Sequence, residues 1–343
     1  MFKILIFFLS LSGSILSQYN LDYFIKNALA NSPRIKNFNN LFFINDLQKK
    51  IDEAENSALR VYLTADYLFA PYFNNDKLIS INPAPEAIGY DVGITNGGLY
   101  SALLNVEKNI FNGALLNALN EQRTVQGKSY ENQKLNEEHD LIKLITDQYL
   151  NTFQYLELYS LSKEIVNNLQ NRLKISGDLV TKGLSDMHSY LLLKVEARSQ
   201  QINLDQTHQN YIGSLLQLYS ISGINDTQIV SIDSVNLSLS TKVEDSRFLT
   251  QYYLDSLSAA AQQNIFETGY LPQIKLFFNT GLNAVELNDI QNKFGLSAGI
   301  NLSMPILDGG KKDLMRQQTL ISENSTMDFK NFAAKNIFVQ RRS

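Results

Sequence analysis

The feature that most limits how this chain can fold is the placement of its six prolines. Pro33, Pro71, Pro83 and Pro85 come early, Pro272 and Pro305 come late, and none lies between. Proline removes a backbone donor and clashes with the preceding helical turn, so a long stretch without it permits long helices. Within that stretch Leu135, Ile142, Tyr149 and Leu156 recur at seven-residue spacing, with Ile145 and Tyr159 three beyond Ile142 and Leu156. This is a coiled-coil-like seam, and it predicts a helix from Gly113 to about Ser176. At 1.5 Å per residue that helix would be roughly 90 to 100 Å long. A break is expected at Ser176, Gly177 and Asp178 and again at Thr181, Lys182 and Gly183. A second helix then runs from near Asp186 to about Ser222, with a stripe of Leu204, His208, Tyr211, Leu215 and Leu218. Gly223 is placed to stop it. Residues 113–222 therefore form a long antiparallel helical hairpin.

The flanking segments follow a period of two. From Arg60 to Phe73, one face holds Val61, Leu63, Ala65, Tyr67, Phe69 and Phe73, against Arg60, Thr64 and Asp66. Leu276, Phe278, Leu282 and Ala284 alternate with Lys275, Asn279, Gly281 and Asn283. The cleanest case opposes Phe294, Leu296, Ala298, Ile300, Leu302 and Met304 to Gly295, Ser297, Gly299, Asn301 and Ser303. A less regular strand covers Tyr90 to about Phe111. Such segments fit transmembrane barrel strands, and a soluble sandwich shows the same alternation. The strands alone do not decide between the two.

The chain also repeats itself. Asn109 to Gly113 correspond to Pro305 to Gly309, each group ending a strand and opening a helix. Leu59, Val61 and Leu63 match Pro272, Ile274 and Leu276. Two copies of helix, strand, strand, helix are implied, with a longer hairpin loop in the first, around Asn74 to Ile88.

Lys3, the apolar run Ile4 to Leu11 and the small residues Ser12, Gly13, Ser14 and Ser17 have the layout of a signal peptide, with cleavage expected after Ser17. No later run is apolar enough for a helical span, so a membrane-inserted form must be a β-barrel. There is no cysteine, which excludes disulfides, thiol chemistry and a lipidated N-terminal Cys. A net charge of −4 without a basic stripe argues against nucleic acid. His139, His188 and His208 lack metal-ligand spacing, and His208 suits a packing role. Ser189 beside His188 is no nucleophilic pair, because helix neighbours diverge. Asp308-Gly309-Gly310-Lys311-Lys312 lacks the spacing of a phosphate loop and reads as a strand-to-helix turn. Asp52, Glu53 and Glu55 form an acidic cluster expected on a solvated face. No catalytic residue, cofactor or metal site emerges, and the chain is expected not to be an enzyme.

The export signal, the duplicated strand pair, the proline-free hairpin and the junctions Leu271-Pro272-Gln273 and Met304-Pro305-Ile306-Leu307-Asp308-Gly309-Gly310 resemble the TolC family of outer-membrane efflux proteins. The resemblance implies an α+β membrane protein in which each chain gives four strands to a trimeric 12-stranded β-barrel, continued by long α-helical coiled-coil hairpins. It implies a signal peptide at 1–17 and a first repeat at 18–223, with strands 60–73 and 90–111 and the hairpin 113–222. The second repeat, 224–343, would hold a linker and helix 246–269, strands 271–285 and 293–304, and a helix 310–338. Val180, Thr181, Lys182, Gly183, Leu184 and Ser185 fall at the family's periplasmic tip, where a periplasmic adaptor (membrane fusion protein) docks. Asn112, Gly113, Pro305, Asp308, Gly309 and Gly310 form the strand-to-helix junctions. Ser189 stands where the family usually has aspartate. The implied function is a passive export conduit of a tripartite efflux or type I secretion system, located in the outer membrane and extending into the periplasm. Its partners would be two further copies, an adaptor, an inner-membrane pump and outer-membrane lipid. The alternative is a soluble periplasmic coiled-coil interaction protein. The second copy is short of a helical hairpin, which favours a fragment or frameshifted product over a reduced relative. A chain of this length is expected not to form a working conduit by itself.

Overall fold

A computed structural model of the protein describes residues 19–69, 71–74, 76, 79–80, 98–235, 237, 247–285 and 287–340. The signal segment 1–17, residues 90–97 of the second expected strand and most of the first hairpin loop lie outside the described residues. Six α-helices and six strands occur among those described. They form two compact units, one of residues 1–39 with 133–245 and one of 40–132 with 246–343.

The first unit is helical. It contains α1 (Leu21–Asn31), capped by the Asn20 side chain, and parts of α2 (Pro33–Ser57) and α3 (Gly113–Thr181). It also holds α4 (Met187–Ile221). Its core gathers Phe24 and Ala28 from α1, Ile145 and Tyr149 from α3, Tyr211, Leu215, Leu218 and Tyr219 from α4, and Ile232. The two stripes predicted for the hairpin meet here, although Leu135 and Ile142 remain 36% and 37% exposed. His208 does pack, its ring stacking on Tyr159 at 4.5 Å. The irregular segment 224–235 is held by tyrosine hydroxyls. Tyr149 donates to the Asp233 carbonyl at 2.6 Å, Tyr219 to that of Gln228 at 3.0 Å, and Tyr211 to that of Val230. Burial pushes the Tyr149 and Tyr211 hydroxyls up to about 12, so they stay protonated donors.

The expected break near Ser176 does not occur. Helix α3 continues through Gly177 to Thr181. An interior glycine costs about 1 kcal/mol relative to alanine. A Cβ at Gly177 would meet the Tyr190 ring at 3.4 Å, an ordinary van der Waals distance.

The second unit carries a four-stranded antiparallel sheet in the order β1-β4-β5-β6. These strands are β1 (Arg60–Phe69), β4 (Gly98–Ile110), β5 (Gln273–Ala284) and β6 (Phe294–Ser303). Each flanks helices, in the order α2, β1, β4, α3 and then α5 (Arg247–Thr268), β5, β6, α6 (Lys311–Gln340). The first expected strand is shorter than 60–73. Pro71, which cannot donate to a ladder, follows its end, and Tyr72–Phe73 (β2) pair instead with Ile79–Ser80 (β3) in a separate ribbon. Of the acidic cluster, Glu53 and Glu55 are exposed as expected and Asp52 is not. Asp52 is only 7% exposed and takes a two-point bond from Arg123 at 2.7 and 3.3 Å. Burial raises its carboxyl, but the bonds from Arg123 and Gln48 outweigh that and hold it below the ordinary range.

Candidate channel wall, junctions and helical tip

Register assembles the sheet into two chemically distinct faces. Val61 faces Val106, Leu63 faces Leu104, and Ala65 faces Ala102 between β1 and β4. Val106 in turn faces Phe278, and Ile110 faces Ile274. The row ends with Ile274 beside Leu302, Leu276 beside Ile300 and Leu282 beside Phe294. All four strands thus present one continuous apolar face. That face is open: Leu63 is 73% exposed, Leu296 73%, Ile300 70% and, in the middle of the sheet, Leu104 42%.

The opposite face is polar and, along the central strands β4 and β5, more enclosed. Asn105, 7% exposed, donates to Thr64 Oγ1 at 2.8 Å, and Lys275 pairs with Glu107 at 3.3 Å, which also receives the Tyr62 hydroxyl at 2.8 Å. Of the glycines that alternate along β6, only Gly299 has a close neighbour, and a Cβ at Gly295 would meet nothing within 4 Å. A Cβ on Gly299 would lie 2.4 Å from the tip of the Phe277 ring on the neighbouring strand. A polar face backed by an apolar one can line water on one side and meet hydrocarbon on the other.

The strand-to-helix junctions lie at the ends of β4 and β6. At the first, Asn112 donates to the Asn56 carbonyl and α3 opens at Gly113. The residue with positive φ is not Gly113 but Phe111, at 64°. A side chain in that region costs about 1 kcal/mol or more. At the second, Pro305 follows the end of β6, and Gly309 and Gly310 have φ of 67° and 83°. The Asp308 carboxylate takes the N–H groups of Gly310 at 2.9 Å and Lys312 at 2.8 Å, and the Tyr270 hydroxyl at 2.7 Å. It thereby fills the position an anion would take at this helix start, as the reading of a turn rather than a phosphate loop requires. The Tyr270 hydroxyl and these N–H groups hold Asp308 below the ordinary range. One turn away, Arg316 clasps Glu267 at 2.7 and 3.1 Å, and that pairing, helped by Gln263, lowers the Glu267 carboxyl to about 2. Sequence reasoning missed Arg123, Tyr270, Glu267 and Arg316, because each partner lies on a different helix or strand end and no local spacing links them.

The tip residues form a closed helical turn. Thr181 ends α3, Gly183 adopts φ of 71°, and the N–H of Leu184 reaches back to the Leu179 carbonyl at 2.8 Å. This is a glycine-terminated helix stop. Asp186 then caps α4 by accepting from the N–H of Ser189 at 2.8 Å, a bond that lowers its pKa. Val180 and Ser185 are half-buried, while Thr181, Lys182 and Leu184 are exposed, Leu184 at 72%. Among the described residues no group of three or more His, Cys, Asp or Glu could hold a metal ion, and no helix is long and apolar enough to cross a membrane.

No protein-family model matches the sequence, and no curated protein matches it either. Solved structures do. The Campylobacter jejuni CmeC outer membrane channel superposes with a TM-score of 0.68 at 14% identity, over 93% of this chain and 68% of that one. The outer membrane protein VceC of Vibrio cholerae gives 0.64 at 14% identity, over 91% and 75%. The open state of the Neisseria gonorrhoeae MtrE outer membrane channel gives 0.62 at 11% identity, over 93% and 70%. The chain therefore has the fold of the outer-membrane channels, the TolC-family architecture that its two junctions resemble.

Proposed function

We propose that this chain is an outer-membrane channel subunit of a tripartite efflux or type I secretion system, passing substrates without catalysis of its own. The observation that carries this reading is the open apolar face running across all four strands, backed by a polar face. Soluble monomers rarely expose contiguous apolar patches beyond a few hundred Å². A sandwich would cover such a face with a second sheet, and the only other ladder among the described residues is the ribbon of β2 and β3. The terminal strands β1 and β6 run in opposite directions, so β6 of one copy can continue an antiparallel ladder with β1 of the next. Three copies would close a 12-stranded barrel and leave no edge.

Support for the rest comes from several places. Counting the strands of the four-stranded sheet, the order helix, strand, strand, helix occurs twice, as expected of a duplicated unit. The 69-residue helix α3 and its partner α4 suit a tunnel wall reaching into the periplasm, and the Gly183 turn suits a tip that meets an adaptor linked to an inner-membrane pump. The signal-like start of the sequence fits export. Membrane fractionation tests the reading: recovery with the outer membrane, resistant to carbonate and sarkosyl, is expected. Recovery wholly in the soluble periplasm would favour the coiled-coil interaction protein instead.

A further inference from the structure

We propose that the cavity between the β4–α3 junction and the start of β5 binds a small organic acid, its carboxylate on Lys275 and its apolar body against Phe111. The cavity measures about 270 Å³, and every residue that lines it belongs to the second unit. Pockets for drug-sized molecules begin at roughly 300 Å³, so the occupant is about one ring in size. The pocket needs only this one chain. That the acid is a passenger rests on the channel reading above, which makes the polar face of the sheet the wetted wall.

Register builds the acid end. Lys275 on β5 stands opposite Asn109 on β4 and Asn301 on β6, so one cross-strand row sets an ammonium between two amides. Gln273 and Ser303 form the next row toward the helices. Facing side chains in such a row have Cβ atoms about 5 Å apart, which puts a carboxylate above Lys275 within reach of the amides on either side. The side-chain amides of Asn109, Gln273 and Asn301 make no hydrogen bond among the described residues. Lys275 does pair with Glu107 at 3.3 Å, but Glu107 also faces Arg60 and takes the Tyr62 hydroxyl. Arg60, Glu107 and Lys275 together leave one net positive charge, and the ammonium has N–H donors to spare.

The second half of the chain shows what the other wall takes. At the start of α6 the Asp308 carboxylate holds the N–H groups of Gly310 and Lys312. Asn112 has the matching place at the start of α3, yet its side-chain N–H turns away to the Asn56 carbonyl. No acceptor among the described residues meets the N–H groups of Gly113, Ala114 and Leu115, and the last two of these residues line the cavity. A helix start of this kind adds a positive end to a cavity that already holds the Lys275 row. The apolar end is made by Phe111, Leu271 and Pro272. Phe111 is 78% exposed and held at a φ of 64°, strain of the kind that gathers where a ligand is clamped.

Ligand-observed fluorine magnetic resonance on the full chain in detergent, with protein-free micelles as the blank, tests the pocket. The probes are para-fluorobenzoate and its uncharged analogue para-fluorobenzamide. The parent should bind the acid saturably and more tightly than the amide. Lys275→Gln should weaken the acid about tenfold, as expected for loss of a hydrogen bond to a charged group, and leave the amide little changed. Lys174→Gln in α3 should change neither. Phe111→Gly should weaken both probes while raising the thermal midpoint, because glycine relieves the positive φ. Equal acid binding in the two lysine variants, or acid and amide weakened alike by Lys275→Gln, overturns the role of Lys275. A Phe111→Gly chain that binds as the parent does, or that melts lower, overturns the role of Phe111. No saturable binding, or equal affinity of the parent for acid and amide, overturns the pocket and leaves the channel. Recovery of the chain wholly in the soluble periplasm overturns the passenger role and leaves the pocket.

Discussion

The core around Tyr149 and the apolar face of the sheet are built from the same kinds of residue and end in opposite states. In the first, Phe24, Ile145, Leu215 and Leu218 are at most 1% exposed, because α1, α3 and α4 close over one another within the chain. In the second, Leu63, Leu296 and Ile300 keep about 70% or more of their surface. Both are regular in sequence, one at helical spacing and one at strand spacing. On the proposed barrel reading, what separates them is where the complementary surface lies: inside the chain for the core, outside it for the sheet. The polar environment that would normally penalise such a face is absent if that outside is hydrocarbon.

The largest effects should separate these surfaces. Leu218→Ala leaves a cavity in the closed core and should cost about 2–5 kcal/mol, in detergent and in bilayers alike. Denaturant unfolding followed by circular dichroism in both media measures it. Leu104→Arg should cost about 2–4 kcal/mol in a bilayer, where it sits mid-strand on the open face, and little in water. Folding yield into vesicles, compared with the helical stability of the same variant, reports the difference. A Leu104→Arg chain that inserts as well as the parent would mean the face does not meet lipid.

The two regions were also unequally legible in the sequence. Alternation in Phe294–Ser303 gave that strand to within a residue at each end, because each face of a two-sided sheet fixes its own residue type. The first strand was overextended, since Phe73 continues the alternation and only Pro71 signals the stop. The hairpin stripes found Tyr149 and Leu218 but also Leu135 and Ile142, which the chain itself leaves partly open; a seam shows that an apolar face exists, not what covers it. The glycine of the tip was readable because Gly183 needs a positive φ. Gly177, four residues before the end of α3, looks the same in sequence but lies inside the helix, where no positive φ is required. The strained Phe111 left no trace, because nothing local marks a phenylalanine for a left-handed turn.

A smaller effect concerns the clasp between α5 and α6. The Glu267 carboxyl, held at about 2 by Arg316 against an ordinary 4.5, titrates lower in the folded state than in the unfolded one. Its contribution to stability is therefore complete above pH 4.5 and is lost as the pH falls from 4.5 toward 2. Being exposed, the pair should contribute modestly. Thermal unfolding of Glu267→Gln against the parent should show curves that differ at neutral pH and converge in acid, and a constant offset would contradict the assignment. The smallest global effect is expected at the tip. Gly183→Val strains one turn by about 1 kcal/mol or more, with space for the added side chain but not for its φ. Insertion should be unchanged while adaptor-dependent export falls, and unaltered adaptor crosslinking together with unaltered export would remove the tip from the account.

Closure of the sheet between copies is the claim on which the channel reading most depends, and the absence of cysteine makes it directly testable. Leu63→Cys on β1 and Ile300→Cys on β6 place thiols on the same face at the two open edges. Oxidising the double variant in isolated outer membranes, with each single variant as control, should give disulfide-linked species that stop at three chains on a non-reducing gel. Monomer alone across a panel of neighbouring β1 and β6 positions, or a ladder that passes three without a ceiling, would contradict a closed three-chain barrel.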